Sequence, residues 1–485
     1  MVSHASETKT KIVCTIGPAS SDRETLRALI RAGMDVARVN FSHGTRETHS
    51  ETIRLVRRTA AEEEAIVAVL ADLQGPKLRI GRLAAPILLG LGEWVSFTSL
   101  EADGTDHVVP FPHPILIAGA RIGDRILLDD GSIEVEIREV RPEVLIGRVV
   151  VGGELSSHKG VAAPSQACGI PALTKKDRED ARFAVEHGVD FVALSFVRRP
   201  EDVTELRGLL DAYPRGGDVG IVAKIEKREA LEHLPGILRA ADAVMVARGD
   251  LGVETSPQRV PILQKEIIRR CNRLGIPVIT ATQMLQSMVD HPRPTRAEAS
   301  DVANAILDGS DAVMLSAETA VGRYPVEAVA MMRELSAIAE QEMTWRDDDV
   351  PADALERTHP TTDAIGKATV RVAREIGAAL IVTSTWSGYT ARQIARERPR
   401  RPIVAFTPRD VTLRRLALVW GVTPVLVPAH GSTDEMLETV GRVLLERDEA
   451  RPGDAVVVTG GVPTGSEGKT NFIVVYHVED ASSAG

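Results

Sequence analysis

Short runs of aliphatic and β-branched residues recur through the first two-thirds of the chain, at Ile12–Ile16, Val36–Asn40, Ile66–Asp72, Phe191–Phe196, Ile221–Ile225, Ala243–Ala247, Pro277–Thr282 and Ala312–Ser316. Their nearly unbroken apolar character predicts strands buried on both faces. Between most of them the apolar positions return at helical spacing, as in Glu24–Ala32, Lys175–His187, Val260–Leu274 and Arg296–Leu307. Strand and helix in alternation predict parallel βα units, and eight such units predict a closed (β/α)8 TIM barrel.

The alternation breaks once. After Asp72 about ninety residues are rich in Gly and Pro and carry period-two runs such as Arg125–Leu128 and Ser132–Ile137, separated by the hairpin signal Asp129-Asp130-Gly131. An inserted all-β domain over 74–168 is expected, dividing the barrel into 1–73 and 169–345. The acidic stretch Arg346-Asp347-Asp348-Asp349 before Pro351 reads as a linker. Beyond it, strands at Leu380–Ser384, Ile403–Thr407, Val425–Val427, Ala455–Thr459 and Phe472–His477 alternate with helices starting near Thr362, Thr390, Asp410 and Ser432. The reading is a separate α/β domain over 346–485.

Composition narrows the class. Only 3% of residues are aromatic, so Val, Ile, Leu and Ala must fill the cores. A net charge of −10 with both signs interspersed offers no broad basic face to nucleic acid or to an anionic membrane. No run of about eighteen apolar residues predicts a membrane span, and Met1 to Lys11 has no apolar leader, so a cytoplasmic protein is expected. Cys14, Cys168 and Cys271 show neither CxxC spacing nor a disulfide framework and read as small buried residues.

Catalytic groups of a barrel gather where strands end, and strand side chains at i and i+2 share a face. Arg38, Asn40 and Ser42 form one such series, Lys224 and Glu226 another, Arg248 and Asp250 a third, Ser316 and Glu318 a fourth; Asp72 and Thr282 end two more. Any one of these is an ordinary loop start, but six on one rim point to a site. Three acids suit Mg2+, and Arg38, Arg79 and Lys224 suit a phosphate, the combination that phosphoryl transfer needs. Three other features read as structural. His43 beside Gly44 is a turn histidine; Gly460 to Thr470 fails the phosphate-loop spacing at Pro463; His291 to Arg296 is a rigid turn ahead of a helix capped by Thr295.

The segments KIVCTIGP (11–18), ARVNFSHG (37–44), AKIE (223–226), ARGDLG (247–252), ATQML (281–285), RPTRAE (293–298) and MLSAETA (314–320) resemble the pyruvate kinase family, over about Thr10 to Val478. The resemblance implies a barrel, an inserted lid and a C-terminal effector domain, with phosphoenolpyruvate and ADP (or ATP in reverse) as substrates. It implies Mg2+, with Mn2+ as a substitute, on Glu226 and Asp250. Arg38, Lys224, Gly249, Asp250 and Thr282 would contact substrate, Lys224, Arg38, Thr282 and Ser316 would be catalytic, and Asn40, Arg79 and Lys159 would meet the nucleotide. Asn40, Ser42, Asp72 and Leu73 match the family's K+ site, but Lys77 replaces its glutamate, so K+ is expected to be dispensable. Ser384, Thr385, Ser387, Gly388 and Thr390 resemble a phosphate-holding effector loop. Thr459-Gly460-Gly461-Val462-Pro463 lacks the Trp and Arg that accompany fructose 1,6-bisphosphate, so AMP or a sugar monophosphate is the expected effector. Ala317 and Val321 replace a Gly and a Lys common near the last barrel strand. A homotetramer with two-fold interfaces is also implied. The rival readings are a Mg2+-dependent lyase or aldolase acting on pyruvate-like enolates, and a metabolite sensor that has lost catalysis.

Overall fold

The computed structural model describes residues 8–76, 78–105, 107–129, 131–162, 170–343, 359–462 and 470–479. Eight strands, β1 (Lys11–Ile16), β2 (Val36–Asn40), β3 (Ala68–Asp72), β4 (Phe191–Leu194), β5 (Gly220–Ile225), β6 (Ala243–Ala247), β7 (Val278–Ala281) and β8 (Ala312–Leu315), pair in parallel and in sequence order. β8 closes on β1, with Lys11 opposite Ala312. Alternation sorts the side chains into two cores. Val13, Leu70, Ala193, Val222, Met245, Ile279 and Met314 fill the interior. Cys14, Val39, Val69, Leu194, Ala223, Val246 and Val313 face out beneath the helices. Those helices are capped as their sequences require: Asp22, Thr45, Thr174 and Thr295 each accept the backbone N–H three residues on.

Between β3 and β4 the chain leaves the barrel and builds a curled six-stranded sheet, in the order Val161–Ala162, Arg125–Leu128, Ile133–Arg141, Val144–Val151, Trp94–Thr98, Val108–Pro110. A two-stranded ribbon joins Ile87–Leu89 to Gly153–Leu155, and one short helix, Pro114–Gly119, accompanies the strands. The insert has its own core, centred on Phe97, Phe111, Ile126, Val135 and Ile137. The anticipated hairpin joins Leu128 to Ile133, with Asp129 and Gly131 at positive φ. Asp130 at its tip, Cys168, and the linker Arg346–Pro351 lie outside the described residues.

The C-terminal domain is a five-stranded sheet in the order Val422–Leu426, Ile403–Thr407, Ile381–Ser384, Ala455–Gly460, Phe472–His477, antiparallel only at the last strand. One strand departs from the sequence expectation. It spans Val422–Leu426 and not Val425–Val427, with Pro424 in its middle. Proline is tolerated there because the strand is at an edge, where a missing N–H breaks no ladder.

Candidate active site

Lys224, near the end of β5, is the hub of the rim. Its ammonium lies 2.9 Å from Glu226 Oε1 and 3.3 Å from Asp72 Oδ1, and donates to Ser195 Oγ at 2.9 Å. Asp72 ends β3 and is 1% exposed; Arg38 on β2 forks onto its Oδ2 through Nε at 2.7 Å and Nη2 at 2.6 Å. Arg38 Nη1 also donates to Thr15 Oγ1 on β1 at 2.9 Å. Three strands, β2, β3 and β5, thus place two cations and two acids in one buried network, and β1 adds the Thr15 hydroxyl. Burial alone would raise the Asp72 pKa, but Lys224 and Arg38 outweigh it and hold the carboxylate below its usual range. Burial opposes the Lys224 charge as well, yet Asp72 and Glu226 keep it firmly protonated.

Glu226 is the exception among the acids. Burial raises its pKa first; Lys224 counteracts this, and the nearby Asp250 charge raises it further. Its Oε2 accepts the backbone N–H of Phe196 at 2.8 Å, and Phe196 adopts a left-handed backbone to present that donor. Two carboxylates near enough for the Asp250 charge to raise the Glu226 pKa are a donor set suited to Mg2+, which takes one or two protein carboxylates and fills its shell with water and substrate oxygens. No group of three or more His, Cys, Asp or Glu gathers at metal spacing among the described residues.

On the other side of the rim, Thr282 and Gln283 both have positive φ, +70° and +55°. For a β-branched threonine this is strain that the surroundings must hold. Arg248 supplies the hold: it pairs with Asp301 at 2.7 Å and donates to the carbonyls of Thr282 at 2.6 Å and Ala281 at 3.3 Å. The Thr282 hydroxyl then accepts the N–H of Gly249 at 3.1 Å.

Two expected strand-end series dissolve here. Arg248 and Asp250 lie in the helix Arg248–Glu254, so they do not share a face by strand alternation, and Arg248 braces a loop. Glu318, in the turn Ala317–Ala320, is fully buried and spent on the backbone N–H groups of Ser316 at 2.7 Å and Leu285 at 3.1 Å. Asn40 and Ser42 do stand together, the Asn40 side chain accepting the Ser42 N–H at 3.1 Å. The carbonyl of Leu73 accepts from Ser195 Oγ at 2.6 Å. Lys77 lies outside the described residues.

Arg79 and Lys159 lie on facing segments of the insert, with Ile80 N donating to Lys159 O at 3.0 Å. Their charged tips are turned onto the insert itself, Arg79 to the His158 carbonyl at 2.5 Å and Lys159 to Asp129 at 2.8 Å. Insert and rim together line a cleft of about 1120 Å³, with Arg125 and Glu134 on one wall and Gly249, Asp250 and Gln283 on the other. Ser195, Thr15, Phe196 and Asp301, the partner of Arg248, were not anticipated as site residues. Ser195 follows β4, and its place at that strand's end was the one available signal.

In the C-terminal domain, Ser384 ends a strand and Gly388, at φ +80°, enters the helix Tyr389–Ala395. Thr385 is buried, its N–H donating to Phe406 O at 2.9 Å; Thr390 bonds to Thr470 at 3.0 Å. The disfavoured phosphate-loop segment around Pro463 lies outside the described residues.

The family model for the pyruvate kinase barrel domain matches residues 7–329, and that for the pyruvate kinase alpha/beta domain matches 363–476. The chain belongs to the pyruvate kinase family. It is 48% identical over 472 residues to pyruvate kinase 2 of Synechocystis sp., covering 96% of this chain and 79% of that one. It is 45% identical over 481 residues to the pyruvate kinase of Geobacillus stearothermophilus, covering 98% and 81%. A crystal structure of a pyruvate kinase from Cryptosporidium parvum superposes with a TM-score of 0.89 at 33% identity, covering 97% of this chain and 96% of that one. Its activity is accordingly that of a pyruvate kinase, phosphoryl transfer from phosphoenolpyruvate to ADP with release of pyruvate and ATP, the closing step of glycolysis. No helix among the described residues is long and apolar enough to cross a membrane.

Proposed function

We propose that the network centred on Lys224 carries the phosphoryl transfer. Its ammonium, held between Asp72 and Glu226 at 3.3 and 2.9 Å, is the observation that supports this most directly. A cation fixed in a buried setting needs no reorganisation when charge builds on the moving phosphoryl group. Arg38 shares that charge while bound to Asp72. Glu226 and Asp250 would hold Mg2+, or Mn2+ in its place, which when bound supplies positive charge to the oxygens of the substrate. The Gly249 backbone and the Thr282 hydroxyl orient the substrate carboxylate. Thr282 and Ser316 orient a water that delivers the proton to the enolate left after transfer.

Asn40, Arg79 and Lys159 are the proposed nucleotide contacts, and the insert acts as a lid that keeps water from the phosphoryl group. For Arg79 and Lys159 to reach ADP they must leave the His158 carbonyl and Asp129. At the position matching the family's K+ site, Asp72 already meets Arg38 and Lys224 and the chain brings Lys77, so K+ is not required. Ser384, Thr385, Ser387, Gly388 and Thr390 bind the phosphate of an activating AMP or sugar monophosphate. The enzyme works in the cytoplasm as a homotetramer, without nucleic-acid or membrane partners.

The test is an assay of the purified chain with Mg2+, phosphoenolpyruvate and ADP, on wild type and on Glu226→Gln and Lys224→Met. Pyruvate formation that depends on Mg2+ and on both side chains is expected. Turnover unchanged by either substitution would overturn the site.

A further inference from the structure

The floor of the barrel, opposite the rim, carries a repeated device. Asp35, Asp190, Asp242 and Asp311 each stand immediately before an even-numbered strand: β2, β4, β6 and β8. Each donates its backbone N–H to the carbonyl of a residue at the start of the preceding odd strand: Ile12, Val69, Ile221 and Val278, at 2.9–3.0 Å. Each takes the N–H of that same residue on its carboxylate Oδ2, at 2.8, 2.7, 2.9 and 3.0 Å. Four identical clasps therefore join β1 to β2, β3 to β4, β5 to β6 and β7 to β8.

The other carboxylate oxygen meets the C-terminal domain directly at Asp190, Asp242 and Asp311, and at Asp35 it is linked to that domain through Lys11. Asp190 Oδ1 accepts from Arg414 Nε at 2.8 Å, and Asp242 Oδ1 from Arg415 Nη2 at 2.6 Å. Asp311 Oδ1 accepts from Arg398 Nη1 at 3.2 Å. Asp35 Oδ1 meets Lys11 at 3.6 Å, and Lys11 donates onward to the carbonyl of Val422 at 3.0 Å. At Asp190 and Asp242 a barrel arginine completes the set: Arg57 and Arg207 donate to Oδ2 at 2.7 and 2.9 Å. At Asp35 and Asp311 burial outweighs their partners and keeps the pKa above the usual aspartate value. At Asp242 burial pushes the pKa up, but Arg415, the Ile221 N–H and Arg207 bring it below the usual value.

The consecutive arginines at 414 and 415 have particular reach. Both end the helix Asp410–Arg415, and through Asp190 and Asp242 they fasten β3 to β6. Those are the strands whose far ends carry or directly precede Asp72, Ser195 and Lys224 with Glu226, while β6 leads into the helix that holds Asp250. A strand is stiff along its axis and only five or so residues long here, so its height in the barrel at the floor sets the height of its last side chain at the rim. The same helix is tied at its start to the loop Ser384–Thr390, since Thr412 Oγ1 donates to Trp386 O at 2.8 Å and the Arg409 guanidinium lies 5.9 Å over the Trp386 ring.

We propose that Arg414 and Arg415 are positioning residues for phosphoryl transfer, acting through Asp190 and Asp242 on the spacing of Asp72, Lys224 and Glu226. The proposal rests on the catalytic reading of that rim. It assigns the C-terminal domain a part in the reaction itself, separate from any ligand that domain binds.

The experiment measures kcat and KM for phosphoenolpyruvate in the full chain carrying Arg414→Met or Arg415→Met, well below the melting temperature and with far-UV circular dichroism confirming the fold. A loss in kcat/KM of about tenfold is expected, because small displacements of fixed catalytic groups are costly. Arg414→Lys and Arg415→Lys are expected to recover most of it. Adding Asp242→Asn to Arg415→Met is expected to cost little more, since the two act as one unit. If a methionine variant does not fold, the glutamine variant at that position carries the same expectation. Folded variants within twofold of wild type in kcat/KM would overturn the proposal. Lys224→Met is measured alongside: retained activity there overturns the rim assignment, whereas floor variants equal to wild type beside an inactive Lys224→Met overturn the floor proposal alone.

Discussion

Lys224 reaches Glu226 at 2.9 Å: the two stand two positions apart, Glu226 lies just past the end of β5, and its other oxygen accepts the Phe196 N–H. Removing the ammonium does two things. Lys224→Met is expected to lower kcat by about 10²–10³, the size of an interaction made to charge developing in the transition state. It also leaves Asp72 and Glu226 buried with one counter-ion fewer, so stability is expected to fall by about 3–5 kcal/mol, measured by urea unfolding. A variant with near-normal kcat would remove Lys224 from the chemistry.

Thr282 stores backbone strain at φ +70° while its hydroxyl meets Gly249. Thr282→Gly is expected to keep or raise the melting temperature, since glycine is at ease in the left-handed region, and to lose turnover with the hydroxyl. Thr282→Ser is expected to retain much of the activity. A glycine variant as active as wild type would show that the hydroxyl is idle.

Asp242 gives a pH signature. Its folded-state pKa is depressed, so ionised Asp242 stabilises the fold fully above the ordinary aspartate value of 3.8, and the contribution is lost as the pH falls through the folded value. Asp242→Asn is therefore expected to be less stable than wild type by about 2 kcal/mol at pH 7. The gap should persist at pH 5 and close as the pH drops below 3.8. Urea titrations at these pH values would show a constant gap if the carboxylate charge played no part.

Potassium should be dispensable. Activity is expected to be equal in potassium and tetramethylammonium salts at matched ionic strength, and Lys77→Glu is expected to create a potassium requirement. The charge at that position changes by two units, enough to exchange a repelled cation for an attracted one. Strong activation of the wild type by K+ would contradict this.

The effector loop offers a simpler test. AMP or glucose 6-phosphate is expected to lower the KM for phosphoenolpyruvate in the wild type, and Thr385→Glu, which puts a like charge in the loop, is expected to abolish the effect. Activation that survives Thr385→Glu would place the ligand elsewhere.

Most of the architecture was legible in the sequence because strands buried on both faces leave unbroken apolar runs, and helices leave a 3.6-residue period between them. Asp72, Lys224 and Glu226 were legible for the same reason: polar residues stand out where such runs end. The misreadings share one cause. Alternation holds only while the backbone stays extended, and at Arg248 and Ala317 it turns helical at once, sending Arg248 to Asp301 and Glu318 into the core. Ser195, Thr15 and Phe196 join the site by contacts across strands, which a linear pattern does not carry. The four floor aspartates show the same limit, since their equivalence appears only once each is paired with the start of its neighbouring strand.

The pairing of Lys11 with Ala312, which closes β1 on β8, also bears on how the chain comes into being. During synthesis the first strand must wait for some three hundred residues before its second neighbour exists, whereas the insert between β3 and β4 makes all its sheet contacts within its own stretch of chain. Non-local pairings of this kind are slow to form, and units with complete local contacts fold first. The insert is thus expected to be structured on the ribosome while β1 and β3 each still lack a partner on one edge. Until β8 emerges to close the barrel, apolar strand surface is expected to stay exposed on the nascent chain, the condition in which a chaperone helps most.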